Sequence, residues 1–387
     1  MIRIVFLGAS LNWVPRLLTD LLVVFPEPLA VWFVDLDPGA AEACRSWGEE
    51  ANRVFGRRDE YRGGTDRQAA LRGADAVLVT LSTGGFPAMA LDLSIPEAFG
   101  LYATVGDTCG PSGWSRAIRN IPVFEAFADD FEALCPKAMI VNYSNPMAAL
   151  TSVLLQRCGN PAVGLCHAVF ETRDVLAALL PPGTPDGLQM EFVGMNHFTW
   201  VTGFTVDGEN GYERLDRRLS GRSLLALLPE ETEDEIGFSS GHRLCAELFD
   251  LYRCMPYPAD RHTVEFLPWG TGPRAERRTT LHAGRIPYEE LVRYRIRRTA
   301  IVHREAYRDL SLKAFRQIWD RKAGDPPPRS RETGADMIRA YLLDGVLVDA
   351  VNALNAGQAP QLAAGACVET LGVVDRTGVR PLPASPL

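Results

Sequence analysis

The chain opens with Met-Ile-Arg-Ile-Val-Phe-Leu-Gly-Ala-Ser at residues 1–10, and the class of fold can be predicted from this segment. The largely apolar run from Ile2 to Leu7 is typical of a strand that is buried on both faces. The small residues Gly8, Ala9 and Ser10 then form a turn, and apolar residues recur at helical spacing after it. A buried strand, a glycine turn and an amphipathic helix predict the first unit of a dinucleotide-binding domain, with the three turn residues against the pyrophosphate.

The glycine pattern of this turn is incomplete, because Ser10 and Trp13 stand where the second and third glycines of such a turn would fall. Support comes from the next strand, residues 30–34, which ends at Asp35. A carboxylate in that position accepts both ribose hydroxyls of NAD and repels the 2′-phosphate of NADP. Asp35 could instead be a helix N-cap or turn residue. We favour the cofactor interpretation, so the sequence predicts NAD.

Strands and helices continue to alternate up to residue 187. The apolar run 74–81 leads into a turn of small residues that includes Ser82 and Thr83, which we expect to approach the cofactor. After this turn the pattern predicts a helix at 116–134, a strand at 138–143, a helix at 147–155 and a strand at 162–166. This alternation predicts an α/β, Rossmann-like, doubly wound parallel sheet over residues 1–187, with ligands at the carboxyl ends of its strands.

The pattern changes near residue 188. Residues 190–195 and 198–206 are typical of strands of a second, mixed sheet, and helical spacing predicts long helices near 221–253, 289–315 and 333–355. Residues 188–387 are therefore predicted to form an α+β domain that contributes the substrate site, the metal site and the subunit contacts.

Composition restricts the class of protein. With 387 residues, 47% of them hydrophobic and 23% charged, the chain has enough apolar material for two packed lobes. A net charge of −8 without a long basic run argues against nucleic acid and membrane surfaces as partners. Eight cysteines without a CxxC pair fit a reducing compartment. Since no signal peptide or long apolar segment is present, we expect a soluble cytoplasmic protein.

Two short stretches carry residue types that bind metals. Each stretch ends a short apolar run, at the point where a buried strand would reach a cleft. The two stretches are Gly164-Leu165-Cys166-His167 and Gly194-Met195-Asn196-His197. A thiolate and an imidazole meeting there could hold a divalent cation, and these ligand types alone favour Zn²⁺ or Fe²⁺. Cys166 could equally be a small buried hydrophobic residue.

Several separated stretches follow one another in the order of a known family: Gly106-Asp107-Thr108 with 110–113 and 119–122, Asn142-Tyr143-Ser144-Asn145-Pro146, 164–167, 194–197, and Asp260-Arg261-His262 with Glu265-Phe266. Together they resemble the NAD-dependent glycoside hydrolase family 4, whose fold is like that of malate and lactate dehydrogenases. The resemblance implies Cys166 and His197 as ligands of Mn²⁺, which we adopt as the expected metal, and Asp260 as the catalytic base. It further implies a cofactor contact at Asn142 and substrate contacts at Asn145, His167, Asn196 and Arg261.

The alternative for Asp260 is a turn carboxylate or an ion pair with Arg261. The family's chemistry removes hydride from C3 of the sugar, removes the C2 proton, eliminates the C1 group, adds water and returns the hydride. Because His167 follows Cys166, the chain is similar to the branch that cleaves unphosphorylated α-glucosides, α-galactosides or α-uronides. The resemblance also implies a homodimer or homotetramer.

The chain departs from the family in carrying Cys109 and in ending at Leu387, so we expect it to lack the family's closing helices. Two other functions stay open on sequence alone. One is a dehydrogenase of a hydroxy acid or sugar, and the other is an NAD-binding protein without catalysis.

Overall fold

The computed structural model describes residues 1–181, 187–228, 241–281 and 287–386. Its first sheet has six parallel strands: β1 (Ile2–Leu7), β2 (Leu29–Val34), β3 (Glu60–Gly64), β4 (Ala76–Val79), β5 (Met139–Asn142) and β6 (Ala162–Gly164). The strand order is β3-β2-β1-β4-β5-β6. The order reverses between β1 and β4, which opens a crevice at their carboxyl ends. The predicted doubly wound α/β sheet is confirmed.

The helices of this half are α1 (Val14–Val24), α2 (Pro38–Phe55), α3 (Arg67–Leu71), α4 (Gly85–Glu97), α5 (Gly110–Leu134), α6 (Met147–Arg157) and α7 (Ala168–Leu179). Of these, α1 and α2 cover one face of the sheet, and α3, α5 and α6 cover the other. Side chains of β1 alternate between two apolar cores. Ile4 and Phe6 pack with α1 and α2, whereas Val5 and Leu7 pack with α5 and α6. Because both faces are buried from Ile4 onward, that part of the strand is a continuous apolar sequence.

The second half of the chain forms two antiparallel sheets. One contains β7 (Leu188–Met195), β8 (Phe198–Val206), β9 (Glu209–Asn210), β10 (Met255–Pro256), β14 (Leu347–Leu354), β15 (Cys367–Asp375) and β16 (Gly378–Pro381); the other contains β11 (Arg277–Leu281), β12 (Pro287–Leu291) and β13 (Ile296–Arg297). The helices here are α8 (Gly211–Leu219), α9 (Arg243–Tyr252), α10 (Asp260–Thr263), α11 (Pro268–Thr271), α12 (Ile301–Arg316) and α13 (Gly334–Leu342). The predicted α+β character is confirmed.

Two of the predicted long helices are wrong in part. The helix expected near 289–315 begins only at Ile301, because the preceding residues pair as β12 and β13. The helix expected near 333–355 ends at Leu342, because 347–354 pairs with β15. Of the stretch 221–253, α9 is helical, and residues 229–240 lie outside the described residues.

The end of the chain returns to the first sheet. Met337 and Ile338 of α13 lie in the same apolar core as Ile4 and Phe6 of β1. Phe315 joins this core as well, and its carbonyl accepts a hydrogen bond from the Trp47 indole at 3.0 Å. Among the described helices, none combines the length and hydropathy that a bilayer span requires.

Candidate active site

The turn after β1 makes close backbone contacts at the crevice. Gly8 has φ +96°, and a Cβ there would lie 2.8 Å from the Thr80 carbonyl oxygen, so the turn requires glycine. The Ala9 N–H donates to Asp35 Oδ2 at 2.8 Å, and the Asp37 N–H donates to Asp35 Oδ1 at 3.0 Å. A carboxylate has about four acceptor positions, so Asp35 can still accept ribose hydroxyls.

A cavity of about 420 Å³ lies beside this turn, with Gly8, Asp35, Ser82 and Thr83 in its wall. Its size and its position at the strand-order reversal suit a nucleotide. The structure thus brings together four of the residues that the sequence predicts for cofactor binding. Their role as cofactor contacts stays a prediction.

Two other predicted cofactor residues have different surroundings. The Ser10 carbonyl accepts the N–H groups of Trp13 and Val14, which starts α1. The fully buried Asn142 amide donates to Thr151 Oγ1 at 3.1 Å and accepts the Ser144 N–H at 2.8 Å. Asn142 is therefore engaged inside the protein, and its cofactor contact also stays a prediction.

Cys166 and His197 meet at the end of β6. Cys166 follows that strand, whereas His197 lies in the turn between β7 and β8, and Sγ is 3.2 Å from Nε2. His197 has φ +66°, a left-handed conformation that is uncommon for a residue other than glycine. Gly194 permits this tight turn, since a Cβ there would lie 2.3 Å from the Phe198 carbonyl oxygen. The predicted ligand pair is thus close enough to share one cation.

Thr108 determines which imidazole nitrogen of His197 faces the thiol. Its hydroxyl donates to Asp107 Oδ1 at 2.9 Å and lies 2.7 Å from His197 Nδ1. Because a hydroxyl has one proton and Thr108 gives it to the carboxylate, its oxygen accepts from Nδ1–H. The His197 Nε2 lone pair is then directed toward Cys166, which is the arrangement of a metal-binding histidine.

Asp107 and His262 extend the site on its other side. Their ligand atoms and one of His197 all lie within 4.8 Å of one another, and the two imidazole centroids are 3.9 Å apart. Burial lowers the pKa of His197 to about 4 and also lowers the pKa of His262, so both rings are neutral at pH 7. Burial alone would raise the pKa of Asp107, but the imidazoles of His262 and His197 and the Arg116 guanidinium hold it below its usual value. The sequence analysis contained both residues in its motifs but gave them no role.

The donor set fits a divalent cation. Burial raises the pKa of the Cys166 thiol to about 12, and the nearby Glu369 carboxyl adds to this effect. A bound cation reverses that preference, because metal ligation deprotonates a thiol. Asn196, which is almost fully buried, lies between Cys166 and Glu369 and lowers the pKa of both. Thiolate, imidazole and carboxylate donors are thus available around His197.

Arg116 joins the nucleotide crevice to this cluster. Its guanidinium donates to Ser82 Oγ at 3.1 Å and to the Asn145 carbonyl at 3.0 Å. The Asn145 amide in turn lies 3.5 Å from Asp107 Oδ2. A chain of hydrogen-bonding contacts through Arg116 and Asn145 therefore connects the two halves of the candidate site. The substrate contact of Asn145 stays a prediction.

Two predicted substrate residues lie at the rim of the crevice. His167 Nδ1 is 2.7 Å from Glu332 Oε1, and its half-exposed ring packs beside Trp13 at 5.6 Å between centroids. Arg261 precedes His262 in α10, and its positive charge helps to lower the pKa of both His197 and His262. Their contacts with substrate stay predictions.

Asp260 has a clear structural role. Its carboxylate is fully buried and accepts the N–H groups of Leu244 at 3.0 Å and Cys245 at 2.9 Å, at the N-terminus of α9. Burial raises the pKa of Asp260 to about 6, and these hydrogen bonds oppose the shift. The carboxylate thus caps a helix that precedes it in the chain, and the predicted role as catalytic base stays a prediction.

A doubly wound sheet whose crevice joins a nucleotide-sized cavity to a thiol and imidazole cluster is the architecture of a dehydrogenase-like α/β enzyme. The particular family follows from comparison with known proteins. The chain belongs to the family 4 glycosyl hydrolases: the family model matches residues 3–181, and the model of the family 4 glycosyl hydrolase C-terminal domain matches residues 192–387. It is a glycoside hydrolase, as the sequence motifs indicated.

Its relatives include the alpha-galacturonidase of Bacillus subtilis, which is 31% identical over 98% of this chain and 83% of its own length. A crystal structure of a Bacillus subtilis protein described as a glucosidase has a TM-score of 0.84 and 29% identity, and covers 100% of this chain and 87% of its own. A 6-phospho-alpha-glucosidase from gut microorganisms, crystallised with NAD and Mn²⁺, has a TM-score of 0.74 at 17% identity, covering 100% and 85%. That last likeness shows the fold alone.

Proposed function

We propose that this glycoside hydrolase is an NAD⁺- and divalent-cation-dependent α-glycosidase that acts on unphosphorylated α-glycosides, α-galacturonides first among them. The observation that carries this proposal is the 3.2 Å approach of Cys166 Sγ to His197 Nε2. Contacts through Thr108, Asp107, Asn145 and Arg116 connect this pair to Ser82 in the wall of the cavity beside Gly8 and Asp35. Family membership, together with a structural neighbour crystallised with NAD and Mn²⁺, supports the choice of cofactors.

When bound, NAD⁺ would accept the hydride of sugar C3 and later return it, and the cation would stabilise charge on the neighbouring sugar oxygens between these transfers. Cys166 and His197 would hold the cation, and Asp107 and His262 lie close enough to complete or orient its shell. Between the two hydride transfers, a base of the chain removes the C2 proton, the C1 group leaves and water adds to C1. Thr108 fixes the tautomer that keeps His197 Nε2 free of a proton.

The charge around the site favours an anionic sugar. The guanidiniums of Arg116 and Arg304 act on Asp107, and Arg261 acts on His197. The nearby Glu265 carboxyl opposes them only in part at pH 7, because burial raises its pKa to about 7. A local excess of positive charge in a chain with net charge −8 suits a uronate carboxylate. The alpha-galacturonidase relative supports the same choice.

The test is hydrolysis of nitrophenyl α-galacturonide, α-galactoside, α-glucoside and a 6-phospho-α-glucoside with Mn²⁺, NAD⁺ and a thiol present. We expect turnover of the galacturonide that requires all three additions, with solvent deuterium entering C2 of the released sugar. Cys166→Ser should abolish it, whereas Cys254→Ser, a half-buried thiol beside the Val201 carbonyl, should not. A product without deuterium at C2, or NADH accumulating in step with product, would contradict the proposal.

A further inference from the structure

A second cavity, of about 270 Å³, lies outside the crevice. It is enclosed by α1, α2, the end of α12 with the 3₁₀ turn Gln317–Asp320 that follows it, and residues 328–330. Among the described residues, none lines both this cavity and the cavity beside Gly8. We call it the outer cavity, and the proposed function gives it no occupant.

Hydrogen bonds fix the wall of the outer cavity. The Gly324 N–H donates to the Val54 carbonyl at 2.7 Å, and the Ser330 N–H donates to Asp20 Oδ1 at 2.7 Å. Both ends of segment 324–330 are thereby tied to α2 and α1. Because the cavity is formed before a ligand arrives, binding requires little ordering of the chain.

Apolar side chains form much of this wall. Trp47 and Ile318 are almost fully buried, and the Trp47 indole N–H is already donated to the Phe315 carbonyl at 3.0 Å. Phe55 and Pro15 are half-buried and line the same space. A ligand of the outer cavity therefore needs an apolar body, and the two aromatic side chains favour a flat ring in offset or edge contact.

The volume of the outer cavity limits the size of its ligand. Sites for drug-sized molecules enclose roughly 300–1,000 Å³, and 270 Å³ lies just below that range. The outer cavity therefore suits a compact molecule that is built on a single ring.

The charge in the wall is positive. Arg16, Arg321 and Arg329 line the outer cavity, whereas no Asp or Glu of the described residues does. A neighbouring carboxylate neutralises Arg329, but Arg16 reaches Glu332 only at 4.0 Å, the limit for an ion pair. The Arg321 guanidinium lies 6.0 Å from the centre of the Phe55 ring, and among the described residues it pairs with no carboxylate. Two guanidiniums are thus available to an anion.

The hydroxyl groups of the wall offer little to a sugar. The Thr19 hydroxyl donates to the Pro15 and Arg16 carbonyls, each at 2.9 Å, and the Ser330 hydroxyl donates to the Asp20 carboxylate. A sugar presents several hydroxyl groups that each need a partner, so a ligand with a single polar group fits better. The apolar wall also makes a doubly charged group costlier to desolvate than a carboxylate.

We infer that the outer cavity binds a small aromatic carboxylate. The ring of this ligand lies against Phe55, and its carboxylate pairs with Arg321 and Arg16, because the planar guanidinium matches the geometry of a carboxylate. The glycosidase reaction does not consume such a molecule, so the ligand is an effector.

Arg16 connects this ligand to the active site. Its partner Glu332 lies 2.7 Å from His167 at the rim of the crevice, and the Glu332 N–H donates to Ser330 Oγ at 3.1 Å. A ligand carboxylate competes with Glu332 for the charge of Arg16, so Glu332 then holds His167 more firmly. Because His167 is a predicted substrate contact, the occupied cavity raises KM. This consequence rests on the proposed function, whereas binding in the outer cavity does not.

Titration calorimetry with cinnamate, which joins one ring to a carboxylate, tests the site without a substrate. We expect a dissociation constant on the order of 0.1–1 mM, as is typical of a ligand of about ten non-hydrogen atoms. Cinnamyl alcohol lacks the charge and acetate lacks the ring, so each should bind at least about tenfold more weakly. Arg321→Ala should weaken cinnamate binding about tenfold. Arg376→Ala, which removes an exposed arginine from the turn between β15 and β16, is the matched control and should bind as wild type does.

Arg16→Ala is a second variant should Arg321→Ala fail to fold, and it should weaken binding to a similar extent. No detectable binding at millimolar cinnamate overturns the inference. Equal affinity in wild type and both cavity variants, or cinnamyl alcohol that binds as tightly as cinnamate, overturns it as well.

Steady-state kinetics tests the effect on the crevice. At saturating cinnamate, KM for nitrophenyl α-galacturonide should rise at least about twofold with kcat unchanged, and Arg321→Ala should remove that rise. A chain that has no glycosidase activity contradicts the proposed function and leaves the calorimetric result standing. An active chain whose KM does not respond to bound cinnamate overturns the link to His167.

Discussion

Replacing Asp260 by Asn separates its observed role from its predicted one. The carboxylate is fully buried and accepts two N–H groups of the first turn of α9, at 3.0 and 2.9 Å. An Asn side chain has one acceptor oxygen, so its NH₂ group would face the other N–H. Losing one hydrogen bond to a charged group at a helix N-terminus costs roughly 2–4 kcal/mol. Part of this cost is offset at pH 7, because burial raises the pKa of Asp260 to about 6 and an uncharged Asn avoids that penalty. We therefore expect Asp260→Asn to lower the free energy of unfolding by less than that amount.

Urea unfolding followed by circular dichroism measures this loss. Asp37→Asn is the matched control, because Asp37 caps α2 from an exposed position through one bond to the Gly39 N–H at 2.8 Å, and Asn is as good an N-cap as Asp. An Asp260→Asn protein that is more stable than wild type at pH 7 would refute the capping argument. The rate of turnover tests the predicted role of Asp260 as catalytic base. A general base accelerates a reaction about 10²–10⁴-fold, so a folded Asp260→Asn protein with wild-type turnover would exclude that role.

Three further predictions concern the site. Cys166→Ser and His197→Ala should each weaken Co²⁺ binding at least about tenfold, because each removes one of the two donor atoms that lie 3.2 Å apart. Titration calorimetry measures the affinity, and the circular dichroism spectrum should stay that of wild type. Unchanged affinity in both variants would exclude the two residues as ligands. Burial lowers the pKa of His197 to about 4, so the folded metal-free protein keeps this ring neutral. The stability that the neutral ring contributes is present above pH 6.5 and is lost as pH falls toward 4. Thermal unfolding should therefore show a larger loss of stability between pH 6.5 and pH 4 in wild type than in His197→Ala. Burial raises the pKa of Glu369 to about 7, so wild type loses stability as pH rises from 4.5 to 7. The unfolding free energy of Glu369→Gln should therefore rise by up to ~3 kcal/mol relative to that of wild type between pH 5 and pH 8. A difference between the two proteins that does not change with pH would contradict this.

The first sheet could be predicted because its strands are buried on both faces. β1 was expected at Ile2–Leu7 and lies there, since side chains on both sides of it enter apolar cores. The strand at 347–354 was missed because it carries polar residues into the interior. Asn352 donates to Glu369 Oε2 at 2.9 Å and to the Gly164 carbonyl at 3.1 Å, so a buried polar network replaces the apolar pattern of a strand.

The part of the candidate site that could be predicted consists of short motifs at the ends of predicted strands. Cys166 and His197 follow β6 and β7, and the structure brings them together. Asp107 and His262 were not recognised as possible ligands, because a carboxylate before a helix is more simply a cap and a lone histidine has no partner in sequence. The capping role of Asp260 depends on a contact with an earlier helix, which no local pattern reveals.

The return of α13 to the first sheet has a consequence for synthesis on the ribosome. Met337 and Ile338 enclose the same apolar core as Ile4 and Phe6, although they are translated more than three hundred residues later. A nascent chain that has finished its nucleotide-binding half still exposes part of that core, and such surface attracts chaperones or other unfinished chains. The first strand to emerge is therefore among the last parts of the protein to be fully enclosed.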